Sequence, residues 1–218
     1  MIIFVQNNLN LERSEQELVR RDKLKQLRAL GIDPYPAAAF SSNANSATIR
    51  NEFVEGKQVT IAGRLMSRRI QGKASFAELQ DSQGRIQIYF NRDILCPTED
   101  KSMYNDVYKK LLDIGDIIGI TGTLFTTQVG EKTVQVESLY VLSKSLRPLP
   151  LPKTDADGNT YDSFSDPEQR YRMRYVDLIV NPEVKDTFLK RTKITNTCLL
   201  YTSPSPRDIS GSRMPSSA

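Results

Sequence analysis

Between Val59 and Phe90 the chain passes through three successive stretches in which apolar and polar residues alternate with period two. Stretches patterned in this way can bury their apolar side chains only as neighbouring strands of one sheet. At their centre lies Gly63 to Gln87, GRLMSRRIQGKASFAELQDSQGRIQ, which reads as a basic strand, a turn, a second strand, a Gln-Gly turn and a third strand. In residues 75–80, Ala77 and Leu79 share one face, and Phe76, Glu78 and Gln80 the other. In residues 85–90, Ile86, Ile88 and Phe90 oppose Arg85, Gln87 and Tyr89. Phe76 therefore belongs to the polar face. Arg64, Arg68, Arg69 and Lys73 approach it, and no acid lies between Val59 and Phe76. An aromatic among cations gives a base a surface to stack on and gives phosphates their counter-charge, which is what a single-stranded nucleic acid requires.

The remaining pattern extends this meander. Val59, Ile61, Gly63 and Leu65 form the inward side of a first strand, 59–65. Met103, Val107, Leu111 and Ile114 predict a helix over 100–114 with Gly115 as its C-terminal cap. A fourth strand is expected at 117–125 and a fifth at 133–142, turning around Val129 to Glu131. Three strands, a helix and two strands is the order of an OB-fold, a five-stranded Greek-key barrel whose second and third strands carry the oligonucleotide face. Gly63, Gly119 and Gly122 fit, because glycine inside a strand marks a barrel corner or a bulge.

Ahead of the barrel, Ser14 and Glu17 have capping-box spacing and open a helix that Gly31 ends. Leu18, Leu24, Leu27 and Leu30 supply its apolar stripe, interleaved with Arg20, Arg21, Lys23, Lys25 and Arg28. The stripe reads as a packing arm and the cations as a second basic surface; both readings stand at this level. After Leu146 the LRPLP connector and a polar loop, TDADGNTYDSF, mark a boundary. Asn181-Pro-Glu then starts another helix, with Val184, Phe188 and Arg191 along one side. From Cys198 the Ser- and Pro-rich sequence is expected to end that helix and to remain disordered.

Composition narrows the chemistry. With 39% hydrophobic and 26% charged residues the chain is an ordinary soluble type, and it shows no membrane span. The opening MIIFV lacks the flanks of a secretory signal, so a cytoplasmic setting is expected. There is no histidine, and the two cysteines, Cys96 and Cys198, are far apart. A His-based triad, the usual zinc pairings and a disulfide framework are thereby excluded. The net charge of +4 matters less than its concentration after Val59, and a polyanion is the favoured partner.

From Ser14 to Thr197 the chain resembles the front part of bacterial-type class II lysyl-tRNA synthetases. The most specific pieces are GRLMSRRIQGKASF, LQDSQGRIQIYF, LRPLP and RYRMRYVDLI. The resemblance implies that the OB-fold reads the anticodon of tRNA-Lys, with Phe76 stacked on the central uracil and Arg69, Gln87 and Glu137 hydrogen-bonded to anticodon bases. Period-two parity reaches Phe76 and Gln87 independently. For Glu137 it is ambiguous, since Glu137 opposes Val134 and Val136 but shares parity with Leu139 and Val141, the mark of a bulge. Taken singly, Phe76 also fits a barrel aromatic at the core edge, Arg64 and Arg69 fit solvated charges, and Glu137 fits a cross-strand partner for a cation. Lys73 beside Gly72 reads as a phosphate contact with little sequence preference.

The expected organisation is mainly β with helices: a helical extension (1–55), the barrel (56–146), and a connector with the truncated start of a class II catalytic domain (147–197). A non-native tail (198–218) follows, and Cys198 to Asp208 resembles a translated sequencing-library adaptor. The helix after Asn181 resembles the start of the family's dimer-interface motif, so the full-length parent is expected to be a homodimer. By the same resemblance the parent is a lysine–tRNA ligase using ATP and Mg2+. This fragment is expected to hold no catalytic residue, cofactor or metal site. Three alternatives are an aspartyl- or asparaginyl-tRNA synthetase fragment, a free-standing OB-fold module for single-stranded nucleic acid, and a domain that binds an acidic protein in its basic groove.

Overall fold

The computed structural model describes residues 14–154, 160–161 and 164–202, and the chain divides into two compact units on either side of the Pro148–Leu149 bond. In the first unit five strands close into a barrel: β1 (Gln58–Gln71), β2 (Ala74–Gln80), β3 (Arg85–Asn91), β4 (Ile117–Thr126) and β5 (Lys132–Ser143). Their order around the barrel is β1-β2-β3-β5-β4, and β4 pairs back onto β1. Only the β3–β5 pairing is parallel. The expected OB-fold arrangement is thus the observed one, and the alternation read from the sequence is its cause. Val59, Ile61, Leu65, Ala77, Leu79, Ile86, Ile88 and Phe90 all lie in the core. Glycine is required at Gly122, where a Cβ would stand 1.9 Å from the carbonyl oxygen of Gln135.

Two register breaks shape the barrel. On β1 the pairing with β2 slips between Leu65 and Ser67, so Met66 is an extra residue, and it is buried. Between β4 and β5 it slips from Thr121–Ser138 to Gly122–Val136, which leaves Glu137 as the extra residue. A bulge reverses the side-chain parity of everything beyond it.

Helix α1 (Glu15–Ala29) begins as expected, with the Ser14 hydroxyl accepting from the Glu17 N–H at 3.3 Å, and Gly31 follows with φ of 76°. Its leucine stripe is not what holds it. Leu27 is fully buried, but Leu18 and Leu30 are 38% and 54% exposed. The cations seat it instead: Arg20 donates to the carbonyls of Ser145 (3.2 Å) and Ile114 (3.1 Å), and Lys23 reaches Asp113 (2.5 Å). Asp113 also meets Lys144 (2.6 Å), whose ammonium lies 2.7 Å from Asp116; Lys144 and Asp116 have no side-chain exposure. Three of the five basic residues on α1 are therefore tied within the protein, Arg21 to Glu17 by an i,i+4 pair. Packing arm is the reading this geometry favours.

The segment expected as a helix over 100–114 winds as a π-helix over Met103–Leu111, with the Leu112 N–H bonded to the Val107 carbonyl. The wider winding presents Tyr104, Val107, Tyr108 and Leu111 to the core, where Met103 and Ile114 were expected beside Val107 and Leu111. The polar tips of both tyrosines find partners: Tyr108 bonds Ser75 at 2.6 Å and Tyr104 donates to the Gly72 carbonyl at 3.3 Å. Gly115 is not the helix cap. It takes φ of 103° in a separate turn, where its N–H meets the Leu65 carbonyl. A short helix absent from the sequence reading, α2 (Ser46–Asn51), is held by Asp81, which accepts from both the N–H and the hydroxyl of Ser46 at 2.6 Å.

In the second unit, helices α3 (Pro167–Arg172), α4 (Arg174–Val180) and α5 (Pro182–Thr202) follow Phe164. Asp177 is their buried hub, accepting from Arg170 (3.0 Å), Arg174 and Asn181 (2.7 Å). Helix α5 starts at Pro182 as expected but continues through Cys198 to Thr202, which corrects the expectation that helix ends at Cys198. The physical reason is local: Cys198–Thr202 contains no proline, and the first helix-incompatible residue is Pro204. The MIIFV opening, most of the TDADGNTYDSF loop and the rest of the tail, 203–218, lie outside the described residues.

Candidate nucleic-acid interface

Register fixes which outward side chains are neighbours, because directly paired residues share a face. One continuous row runs around the barrel: Arg69 pairs with Phe76, Phe76 with Tyr89, Tyr89 with Gln135, Gln135 with Thr123 and Thr123 with Gln58. Arg69 is exposed, and among the described residues no carboxylate pairs with it. Phe76 and Tyr89 are half-buried, with ring centroids 4.9 Å apart at 45°. Phe125, from the end of β4, meets Tyr89 edge-on at 5.7 Å. The three rings, each only partly buried, make a braced aromatic strip.

Gln87 occupies the adjacent row, opposite Glu78 on β2. Glu78 is engaged by Arg85 (3.6 Å) and Ser67 (3.4 Å), which leaves the Gln87 amide to present a donor and an acceptor outward. Glu137, the bulged residue, shares parity with Gln135 and so belongs to the same surface. Its two carboxylate oxygens accept from the Thr123 hydroxyl and, at 3.1 Å, from the Gln58 amide. The bulge inferred from the conflicting parities of Glu137 is present.

Two of the four cations read as approaching Phe76 are committed elsewhere. Arg68 lies beyond the Met66 bulge, so it pairs with inward-facing Ala77 and leaves the sheet on the opposite side from Phe76. Its guanidinium donates to the carbonyls of Tyr108 (2.5 Å) and Leu112 (3.0 Å) and lies 5.7 Å from the Tyr108 ring, closing the end of the π-helix. Arg64 stands five residues before Arg69, roughly 15 Å along the strand. It donates to the Gly115 carbonyl at 2.7 Å, and burial lowers its pKa, partly offset by Asp116. Lys73 is exposed in the β1–β2 turn, ~10 Å along β2 from Phe76.

Tyr89, Phe125, Gln135, Thr123 and Gln58 were not singled out as site residues from sequence. Tyr89 was already on the polar face by parity, and Phe125 was available by the same reading, since Ile118, Ile120 and Leu124 alternate inward ahead of it. Among the described residues no cluster of three or more Cys, Asp or Glu side chains is placed to hold a metal ion. No described helix is long and apolar enough to cross a membrane.

Residues 59–142 match the family model of the OB-fold nucleic acid binding domain. The chain is 68% identical over 183 residues to the lysine–tRNA ligase of Christiangramia forsetii, covering 84% of this chain and 32% of that protein. It is 60% identical over 191 residues to the lysine–tRNA ligase of Porphyromonas gingivalis (85% and 33%). To that of Azobacteroides pseudotrichonymphae it is 59% identical over 186 residues (84% and 37%). The chain spans about a third of the length of these curated relatives.

Proposed function

We propose, for a chain that belongs to the lysine–tRNA ligase family over the stretch it shares with those enzymes, that the outer face of its barrel reads the anticodon of lysine tRNA. The observation that carries this reading is the paired row of Arg69, Phe76 and Tyr89, flanked by Gln87 and the bulged Glu137. Phe76 offers the stacking surface, Arg69 a planar cation, Gln87 a donor and an acceptor, and Glu137 an acceptor. Lys73 meets phosphate at the edge. Arg64 and Arg68 act structurally, through the carbonyls they hold.

In the full-length ligase this recognition serves ATP- and Mg2+-dependent attachment of lysine, in a cytoplasmic homodimer. No step of that chemistry is assigned to the residues present, and this chain alone is expected to lack lysine-dependent pyrophosphate exchange. Competition tests the binding reading directly. Labelled lysine tRNA should be displaced by unlabelled lysine tRNA far better than by an unrelated tRNA or poly-dT. Equal displacement by all three would identify a general single-strand module instead.

A further inference from the structure

The break between Thr121–Ser138 and Gly122–Val136 leaves Glu137 with no residue opposite it, and a glutamate at such a position ordinarily keeps its side-chain rotamers. Here two donors from two other strands take one carboxylate oxygen each. They are the Thr123 hydroxyl on β4, and the Gln58 amide at the start of β1, 3.1 Å away. Thr123 and Gln58 are themselves register partners, so both donors come from one rung of the barrel wall, at the seam where β4 closes onto β1. Each carboxylate oxygen has two lone-pair directions, and one donor apiece leaves the others free. The group is thus held in one orientation with acceptor capacity left for a ligand.

We propose that Gln58 and Thr123 are positioning residues that aim the Glu137 carboxylate at the N–H of one base, and that this aim is what makes the interface prefer uracil over cytosine at one anticodon position. The inference rests on the anticodon reading above. Its chemistry is simple: an ionised carboxylate only accepts, uracil presents N3–H on its pairing edge, and cytosine presents a bare acceptor at N3. A mobile glutamate could swing to the cytosine amino group instead. A carboxylate fixed from two sides has lost that choice.

The test measures binding of the whole chain to an anticodon stem-loop bearing three uracils and to three versions in which each uracil in turn is cytosine. Thr123→Val and Gln58→Ala should each reduce the uracil-over-cytosine preference at one and the same position by about five-fold, the net scale of one ordinary hydrogen bond. Thr123→Ser, which keeps the hydroxyl, should retain it. In a Glu137→Gln background neither substitution should have any further effect. Parallel weakening of all four loops, or an effect that persists without the Glu137 carboxylate, overturns the positioning role. A preference in the wild-type chain that survives both substitutions overturns this inference alone, whereas a wild-type chain with no preference overturns the anticodon reading with it.

Discussion

Arg69 and Phe76 are register partners on antiparallel strands, so guanidinium and ring leave the barrel on the same side. Arg68, one residue earlier, pairs with Ala77 and turns beneath the barrel to the carbonyls of Tyr108 and Leu112. Two adjacent arginines therefore leave the sheet on opposite sides. Arg69→Ala should leave stability unchanged and weaken binding of an anticodon stem-loop. Arg68→Ala should remove about 1.5–3 kcal/mol of stability, as expected for hydrogen bonds from a charged donor, and leave the affinity of the folded protein intact. Urea denaturation paired with RNA titration of both variants reads the difference. An exchange of the two phenotypes would overturn both assignments.

Phe76→Ala should weaken stem-loop binding roughly ten-fold or more, since stacking a base on an aromatic is worth ~1–3 kcal/mol. Because the ring also rests on Tyr89 at 4.9 Å, a smaller loss of stability will accompany it. Phe76→Leu separates the two: it keeps most of the apolar contact and loses the π-face. Affinity that is unchanged in Phe76→Leu would make Phe76 a packing residue.

Gln87 and Lys73 should differ in kind. Gln87→Ala is expected to lower affinity for the cognate loop and spare a changed one, which flattens the preference. Lys73→Ala should weaken every RNA alike and reduce the slope of log affinity against log salt by ~0.7, one single-strand phosphate contact. Titrations at four salt concentrations decide it, and a preference change in Lys73→Ala with an unaltered slope contradicts both assignments.

Acid should loosen the β2–β3 turn. Burial raises the Asp81 carboxyl, but hydrogen bonds from the Ser46 hydroxyl and N–H and from the N–H groups of Gln83 and Gly84 lower it more. The net position is below its ordinary 3.8. A carboxyl depressed on folding contributes its full stabilisation above the unfolded value and loses it as pH falls through the folded one. The denaturation midpoint should accordingly fall between roughly pH 5 and pH 2. Asp81→Asn should be less stable at neutral pH and show a shallower acid slope. Identical slopes in the two proteins would remove Asp81 from the account.

Much of this was legible in the residues and some was not, for identifiable reasons. Phe76, Gln87 and Tyr89 followed from alternation because β2 and β3 are unbroken. Arg68 did not, because the extra residue at Met66 reverses parity with no glycine or proline to mark it. The second bulge did leave a trace, since Glu137 could not agree with both Val136 and Leu139. Tyr104 and Tyr108 were passed over because a 3.6-residue period was applied to a segment that winds more widely. Helix α2 has a local cap in Asn45, which accepts from the Thr48 N–H, but six residues are too few to show a period, and its tie to Asp81 comes from a distant turn.

The seat of α1 separates two kinds of electrostatics in one small domain. Lys144 and Asp116 are sealed from water, while Arg69 and Lys73 stand in it. Dissolved ions shield charges over a Debye length of ~8 Å at physiological strength, but only where ions can go. Raising the salt should therefore strip RNA from the outer face and leave the sealed Lys144–Asp116 pair intact. Ionic strength becomes a reagent that addresses one surface at a time, and a salt titration of this chain reports the interface without also reporting its assembly.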